Sequence, residues 1–213
     1  MSRGRFCSRM FCAAVALAAG CSTPGNLPSQ SGITPTYDKT TGKLTELAYD
    51  SDHDGKIDTW TDMDGTHPVH TRIDSNQDGK PDRWEYYDEQ GKLVKVGLSR
   101  HDDGKPDAWA FAGPDGRTRR IEVSSTSDEK RIDRWEHYDG AAITAVEEDT
   151  NHDTVVDKWE THESGEIKTV AFDENGDGRP DRRLTYAAGS LVSIETDPDS
   201  TGNFTRRVDL KPN

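Results

Sequence analysis

Asp50-Ser51-Asp52-His53-Asp54-Gly55-Lys56-Ile57-Asp58-Thr59-Trp60 is the stretch on which the architecture turns, because its pattern returns down the chain. The second copy reads Asp74-Ser75-Asn76-Gln77-Asp78-Gly79-Lys80-Pro81-Asp82-Arg83-Trp84. Oxygen-bearing side chains fall at positions 1, 3, 5 and 9, with glycine at position 6. A hard dication such as calcium takes six to eight oxygens, and a glycine lets the backbone turn sharply beneath it. A preference for turns explains Asp, Asn and Gly in a loop, but not acids at alternate positions. Close carboxylates repel one another by about 1 kcal/mol per pair near the surface, and a dication reverses that sign.

Seven such stretches recur at a spacing of 24 to 26 residues, and they differ in quality. Four carry a full ligand set: Asp50, Asp52, Asp54 and Asp58; Asp74, Asn76, Asp78 and Asp82; Asp149, Asn151, Asp153 and Asp157; Asp173, Asn175, Asp177 and Asp181. The backbone carbonyls of Lys56, Lys80, Val155 and Arg179 supply position 7. These four loops are the candidate sites for structural Ca2+, up to four ions. In the fifth loop Thr154 stands where the others have glycine, which predicts a strained turn. The third opens with Ser99, the fourth (around Ser125 to Lys130) has lost the pattern, and the seventh keeps only Asp197 and Asp199. Those three are expected to hold no ion, or to hold one weakly. Glu85 and Glu160 stand at position 12 of their loops and offer a further ligand, although β-type sequence on both sides argues against an EF-hand.

Between the loops the sequence alternates as strands do. Trp84-Glu85-Tyr86-Tyr87 places Trp84 and Tyr86 on one face, Asp88-Glu89-Gln90-Gly91 is a tight turn, and Lys92 to Leu98 returns. About twelve residues with a turn among them leave no room for an ordinary helix. Trp60, Trp84, Trp109, Trp135 and Trp159 share one strand position, replaced by Arg183 and Arg207 in the last two copies. Their register predicts a packed ladder, with an exposed, glycan-binding row as the alternative. The expected fold is all-β: an elongated antiparallel strip of about seven hairpins, the alternatives being a partial propeller or a β-solenoid. Seven hairpins make only three and a half four-stranded blades, too few to close a propeller. The charged Arg206-Arg207 pair is expected to blunt the last edge.

Trp84-Glu-Tyr-Tyr-Asp-Glu-Gln-Gly-Lys-Leu93 resembles the hairpin unit of MORN-type and YD-type repeats. The acidic stretches resemble D-x-D-x-D-G-x-x-D loops of bacterial surface proteins and calcium-binding propeller blades. Together these resemblances cover most of residues 34–213 and imply a twisted hairpin strip that binds calcium.

The N-terminus reads differently. Arg3, Arg5 and Arg9 precede a short apolar run from Phe11 to Ala19, and Ala18-Ala19-Gly20-Cys21 follows. The run is too short to span a bilayer, and the layout is that of a secretory signal over residues 1–20. Small residues before a cysteine resemble the lipobox of bacterial lipoproteins, which implies acylation at Cys21 and anchoring in the cell envelope. Ser22 beyond that cysteine resembles lipoproteins sent to the outer membrane. Residues 21–33 then form a lipidated cysteine and a flexible tether rich in Ser, Pro and Gly, and the repeat domain occupies 34–213.

The full chain carries a net charge of −13, and losing three arginines and no acids with the signal leaves −16. That field repels nucleic acid and favours divalent cations and basic partners. Cys7 and Cys12 leave with the signal, so no disulfide framework remains. Only 31 % of residues are hydrophobic, too lean for a thick two-sided core. His53, His101 and His152 lie in loops and are expected to point away from a bound ion. No nucleophile motif or phosphate-cradling loop appears, and the acids recur in equivalent settings, whereas catalytic carboxylates need unequal ones. The chain therefore reads as a non-enzyme: a calcium-rigidified structural or adhesive envelope protein, with an envelope protein or glycan as its further partner, the alternatives being a glycan- or protein-binding module on the tryptophan face and, more distantly, a hydrolase.

Overall fold

The structure, a computed structural model, describes residues 32–126 and 131–211. The signal-like segment 1–20, Cys21 and the tether as far as residue 31 lie outside the described residues, as do residues 127–130 of the fourth loop. Fifteen strands follow: β1 (Ile33–Tyr37), β2 (Leu44–Tyr49), β3 (Thr59–Met63), β4 (Pro68–Ile73), β5 (Arg83–Tyr87), β6 (Leu93–Leu98), β7 (Ala108–Ala112) and β8 (Thr118–Val123). The second half continues with β9 (Arg134–Asp139), β10 (Ala142–Glu148), β11 (Lys158–Glu163), β12 (Glu166–Phe172), β13 (Arg182–Ala187), β14 (Ser190–Pro198) and β15 (Phe204–Asp209). They form one sheet in chain order, each strand antiparallel to the next, and the sheet stays open. The hairpin strip is therefore the architecture, and neither a propeller nor a solenoid describes it. Among the described residues no helix is long and apolar enough to cross a membrane.

A meander of this kind sorts its connections. The tight turns lie along one long margin of the sheet and the acidic loops along the other. On the turn margin an aspartate usually locks the corner: Asp64 Oδ1 accepts from the amides of Thr66 at 2.9 Å and His67 at 2.8 Å. Those two amides hold the Asp64 carboxyl down to about 2. In the β5–β6 turn Gly91 takes φ of 72°, and its amide donates to the Asp88 carbonyl at 2.9 Å.

The tryptophans fall on alternate strands of one cross-strand row. The register runs Trp60, Arg72, Trp84, Gly97, Trp109, Glu122, Trp135, Glu147, Trp159. The expected ladder is thus interleaved, because the return strand of each hairpin puts another residue between two rings. Neighbouring tryptophan positions are two strands apart, about 10 Å. At Gly97 the six-membered ring of Trp109 lies across the bare backbone, where an added Cβ would sit 2.5 Å from Cζ3. Tyr86 and Trp109 approach at 5.9 Å, and the Lys95 ammonium lies over both rings at 4.2 and 4.3 Å.

The opposite face carries the apolar core in a second row, where Val96 and Val146 are each 1 % exposed, flanked by Ala110 and Val170. With only one sheet among the described elements, long charged side chains cover this row along their stems. Arg134 pairs with Glu136 at 2.8 Å and with Glu148, while Lys158 pairs with Glu148 at 2.7 Å and Glu160 at 2.8 Å. Tyr87 donates to Glu85 at 2.5 Å, and burial followed by that carboxylate pushes its phenol up to about 12.

Both edges are protected differently. The Asp50 amide donates to the Gly32 carbonyl, so even-numbered residues of β1 bond inward and odd-numbered ones face outward. Pro35 therefore turns a nitrogen without a hydrogen to the open side, a device that discourages a further strand. At the other end Arg206 and Arg207 are exposed on β15, as the sequence predicts.

Candidate metal centres

Each loop leaves the core at position 1 and re-enters at position 9; position 1 is buried in all four full loops, whereas position 9 is buried at Asp58 and half-buried at Asp82, Asp157 and Asp181. Asp50, Asp58, Asp74, Asp149 and Asp173 are all buried, as are the closing acids Asp107 and Asp133 of the third and fourth loops. Backbone hydrogen bonds tie the loops in series. The position 9 amide donates to the last carbonyl of the strand before its loop, as Asp58 does to Tyr49 at 3.1 Å. The position 1 amide donates to the position 9 carbonyl of the preceding loop, as Asp74 does to Asp58 at 2.8 Å and Asp173 to Asp157 at 2.9 Å. The loops thus stack in register along the sheet margin.

Within a loop the acids organise the backbone. Asp50 accepts from the amides of His53 at 2.7 Å, Asp54 at 3.2 Å and Gly55 at 2.9 Å. Asp74 and Asp149 do the same with Asp78 and Gly79, and with Asp153 and Thr154. Burial acts to raise the pKa of Asp173, but the four amides it gathers, from Asn175 to Gly178, prevail and hold the carboxyl below its ordinary range. Position 3 accepts from the amide of position 5 (Asp52 from Asp54, Asn76 from Asp78, Asn151 from Asp153, Asn175 from Asp177). Position 5 accepts from position 7: Asp54 from Lys56, Asp78 from Lys80, Asp153 from Val155 and Asp177 from Arg179, all at 2.8 to 2.9 Å. The side chains of positions 1, 3 and 5 thereby turn toward the same concave backbone.

Position 9 is fixed by a partner that the sequence reading passed over. Ser51, Ser75 and Thr150, all at position 2, donate their hydroxyls to Asp58 at 2.6 Å, Asp82 at 2.7 Å and Asp157 at 2.9 Å. The signal was a small hydroxyl after the first acid in three of the four full loops. Burial acts to raise Asp58, and the Ser51 and Thr59 bonds prevail and keep it below the usual carboxylate range. Asp181 is held instead by the amides of Glu174 and Asn175 and by the Asn175 side chain.

In the first loop three acids converge. Asp50, Asp52 and Asp58 each offer a carboxylate oxygen within 4.8 Å of the other two, the spacing of ligands around one cation. The donor set is all oxygen and partly buried, which fits a hard dication. In the other three full loops position 3 is the neutral oxygen of Asn76, Asn151 or Asn175. Glu85 and Glu160 do not join their loops. They lie on the apolar-core face, where Glu85 pairs with Arg83 at 2.7 Å and Glu160 with Lys158 and His162. Position 12 of these loops is on a strand, and its side chain points into the sheet's own ion pairs.

The closing acids of the third and fourth loops meet nitrogen-bearing side chains. Arg100 Nε meets Asp107 at 3.0 Å, and its terminal nitrogen reaches on to the Ser124 carbonyl of the next loop at 2.9 Å. His101 also bonds Asp107 through Nδ1. The expectation that His101 faces away is therefore wrong: it is the third residue of its loop and turns inward. His152, at position 4, instead reaches back to Asp133 at 3.5 Å. In the third loop a guanidinium thus stands against the closing acid.

Position 6 has φ of 92°, 89°, 80° and 82° at Gly55, Gly79, Gly104 and Gly178, and 81° at Thr154. A β-branched residue in the left-handed region costs about 1–2 kcal/mol. Thr154→Gly is expected to stabilise the chain by about 0.5–1 kcal/mol after the greater unfolded-state entropy of glycine is subtracted. Urea denaturation midpoints would show it, and an unchanged or lower midpoint would mean that the fifth loop is unstrained.

No protein-family model matches this chain, and no curated protein does. A crystal structure of accessory secretory protein 1, 2 and 3 in Streptococcus pneumoniae is similar over 53 % of this chain and 20 % of that one, with 10 % identity and a TM-score of 0.37. The match thus spans about a fifth of that chain's length.

Proposed function

We propose that this chain is a lipid-anchored, calcium-stapled β-strip of the bacterial envelope, acting as a structural or adhesive element and not as an enzyme. The convergence of Asp50, Asp52 and Asp58 on one point, framed by buried position 1 and position 9 acids, is the observation that carries the metal reading. Calcium bound there joins the two ends of a loop whose backbone is already tied to Gly32 before β1 and to Asp74 of the next loop. Loading a loop therefore stiffens the sheet margin beyond its own residues. Anchoring rests on the signal-like N-terminus and Cys21, acylated to hold the strip on the membrane, with the outer membrane as its destination.

The half-exposed ring row supports a second reading, a glycan- or protein-binding face. Lys95 lying over Tyr86 and Trp109 occupies ring faces that a sugar would stack on, which favours the structural reading. A calcium-electrode titration of residues 32–211 tests the proposal. Up to four sites with dissociation constants of about 0.1–1 mM are expected, with magnesium competing poorly. A titration that follows the buffer blank would remove calcium from the proposal.

A further inference from the structure

The sixth loop differs from its siblings at one chemically telling place. Position 3 is asparagine in the second, fifth and sixth loops, and position 4 is left-handed in each, with φ of 59° at Gln77, 62° at His152 and 78° at Gly176. Of the three, the sixth alone has glycine at position 4. There the Gly176 amide donates to Asp173 Oδ1 at 2.7 Å, while Asn175 Oδ1 accepts from the Asp177 amide at 2.9 Å. Asn175 is exposed and lines an open cleft of about 530 Å³ shared with Asp199 and Phe204. The cleft opens where the seventh acidic stretch closes as a tight turn, Gly202 bonding back to Asp199, in place of a nine-residue loop.

We propose that Asn175 is a self-modifying position that deamidates through the Gly176 backbone nitrogen. That nitrogen attacks Asn175 Cγ, closing a five-membered imide as the Cγ–Nδ2 bond breaks and ammonia leaves. Hydroxide takes the Gly176 amide proton, and water returns one to the departing nitrogen, which already donates to Asp181 Oδ1 at 2.8 Å. The Asp177 amide stabilises the negative charge that builds on Oδ1 during attack. Water then opens the imide to aspartate or isoaspartate, so the net change is amide plus water to carboxylate plus ammonia. At Asn76 and Asn151 the next residue carries a side chain that crowds the approach, and glycine does not. The aspartate product gives the sixth loop the four acids that the first already has. The reaction itself needs no calcium, and run in chelator, where Asn175 holds no ion, its test stands apart from the proposed function.

The full chain would be held at mildly alkaline pH and physiological temperature, digested at intervals and mapped by mass spectrometry. Conversion at Asn175 is expected about tenfold or more faster than at Asn76 and Asn151, with a more acidic isoform accumulating. Gly176→His, which installs the residue that the fifth loop has at this position, should abolish the difference. Equal rates at the three asparagines would overturn the proposal. So would an intact Asn175 in folded protein while the denatured chain converts, since the loop's hydrogen bonds would then protect it.

Discussion

In excess chelator the chain is expected to melt roughly 10–20 °C below its midpoint in millimolar calcium, the largest effect that any single change of conditions should produce. A site with a dissociation constant of about 0.1 mM contributes about 1.4 kcal/mol at about 1 mM calcium, so four contribute about 6. Whole domains are stable by about 5–15 kcal/mol, and the buried hydrophobic residues of this sheet are few: Trp84 and a handful of valines and alanines. The loss should also be uneven. In a repeat array stability is a sum of local units and their interfaces. The first, second, fifth and sixth loops would lose their cation, whereas Asp107 keeps Arg100 and His101 whatever the buffer holds. The transition in chelator should therefore broaden as well as shift, because the ends loosen before the middle. Melts that superimpose in chelator and calcium would mean that the acids are solvated turns whose hydrogen-bond frame suffices alone.

That frame marks the limit of what could be read from the sequence. The strip, its hairpins and the placing of the acidic loops were legible because each depends on a repeated local pattern: alternation in Trp84 to Tyr87, Gly91 at a turn, acids at alternate loop positions. What escaped depends on pairings between units. The interleaving of Trp60 and Trp84 by Arg72 is set by cross-strand register, which one strand's periodicity does not reveal. The capture of Asp107 by Arg100 was hidden because a basic residue in a degenerate loop reads as decoration until the missing position 1 acid is seen as a missing charge. Glu85 looked like a ligand by count along the chain, but strand geometry sends it to Arg83. Spacing in sequence located the loops and failed where strand direction decided which way a side chain went.

The acids of one loop should also separate into frame and ligand by mutation. Asp149 is 3 % exposed and accepts from the amides of Asp153 at 3.1 Å and Thr154 at 2.8 Å, one on each oxygen. In Asp149→Asn one of those amides must face an NH2 group, and the charge that strengthens both bonds is gone. A buried donor left without an acceptor costs about 1–3 kcal/mol, and bonds to a charged group are worth more than neutral ones. The variant is expected to lose about 2–3 kcal/mol even in chelator, and more in calcium. Asp52→Asn is the contrasting change. Asp52 is exposed, and its frame bond from the Asp54 amide is one that an asparagine carbonyl already makes at Asn76, Asn151 and Asn175. It should lie within about 0.5 kcal/mol of the parent in chelator and show a smaller gain on adding calcium, because the first loop loses one ligand charge. Paired melts of the two variants in both buffers read this directly. If Asp52→Asn were the more damaging in chelator, the division between a buried frame and an exposed ligand would be wrong. If it kept the whole calcium gain, the ion would not be seated among Asp50, Asp52 and Asp58.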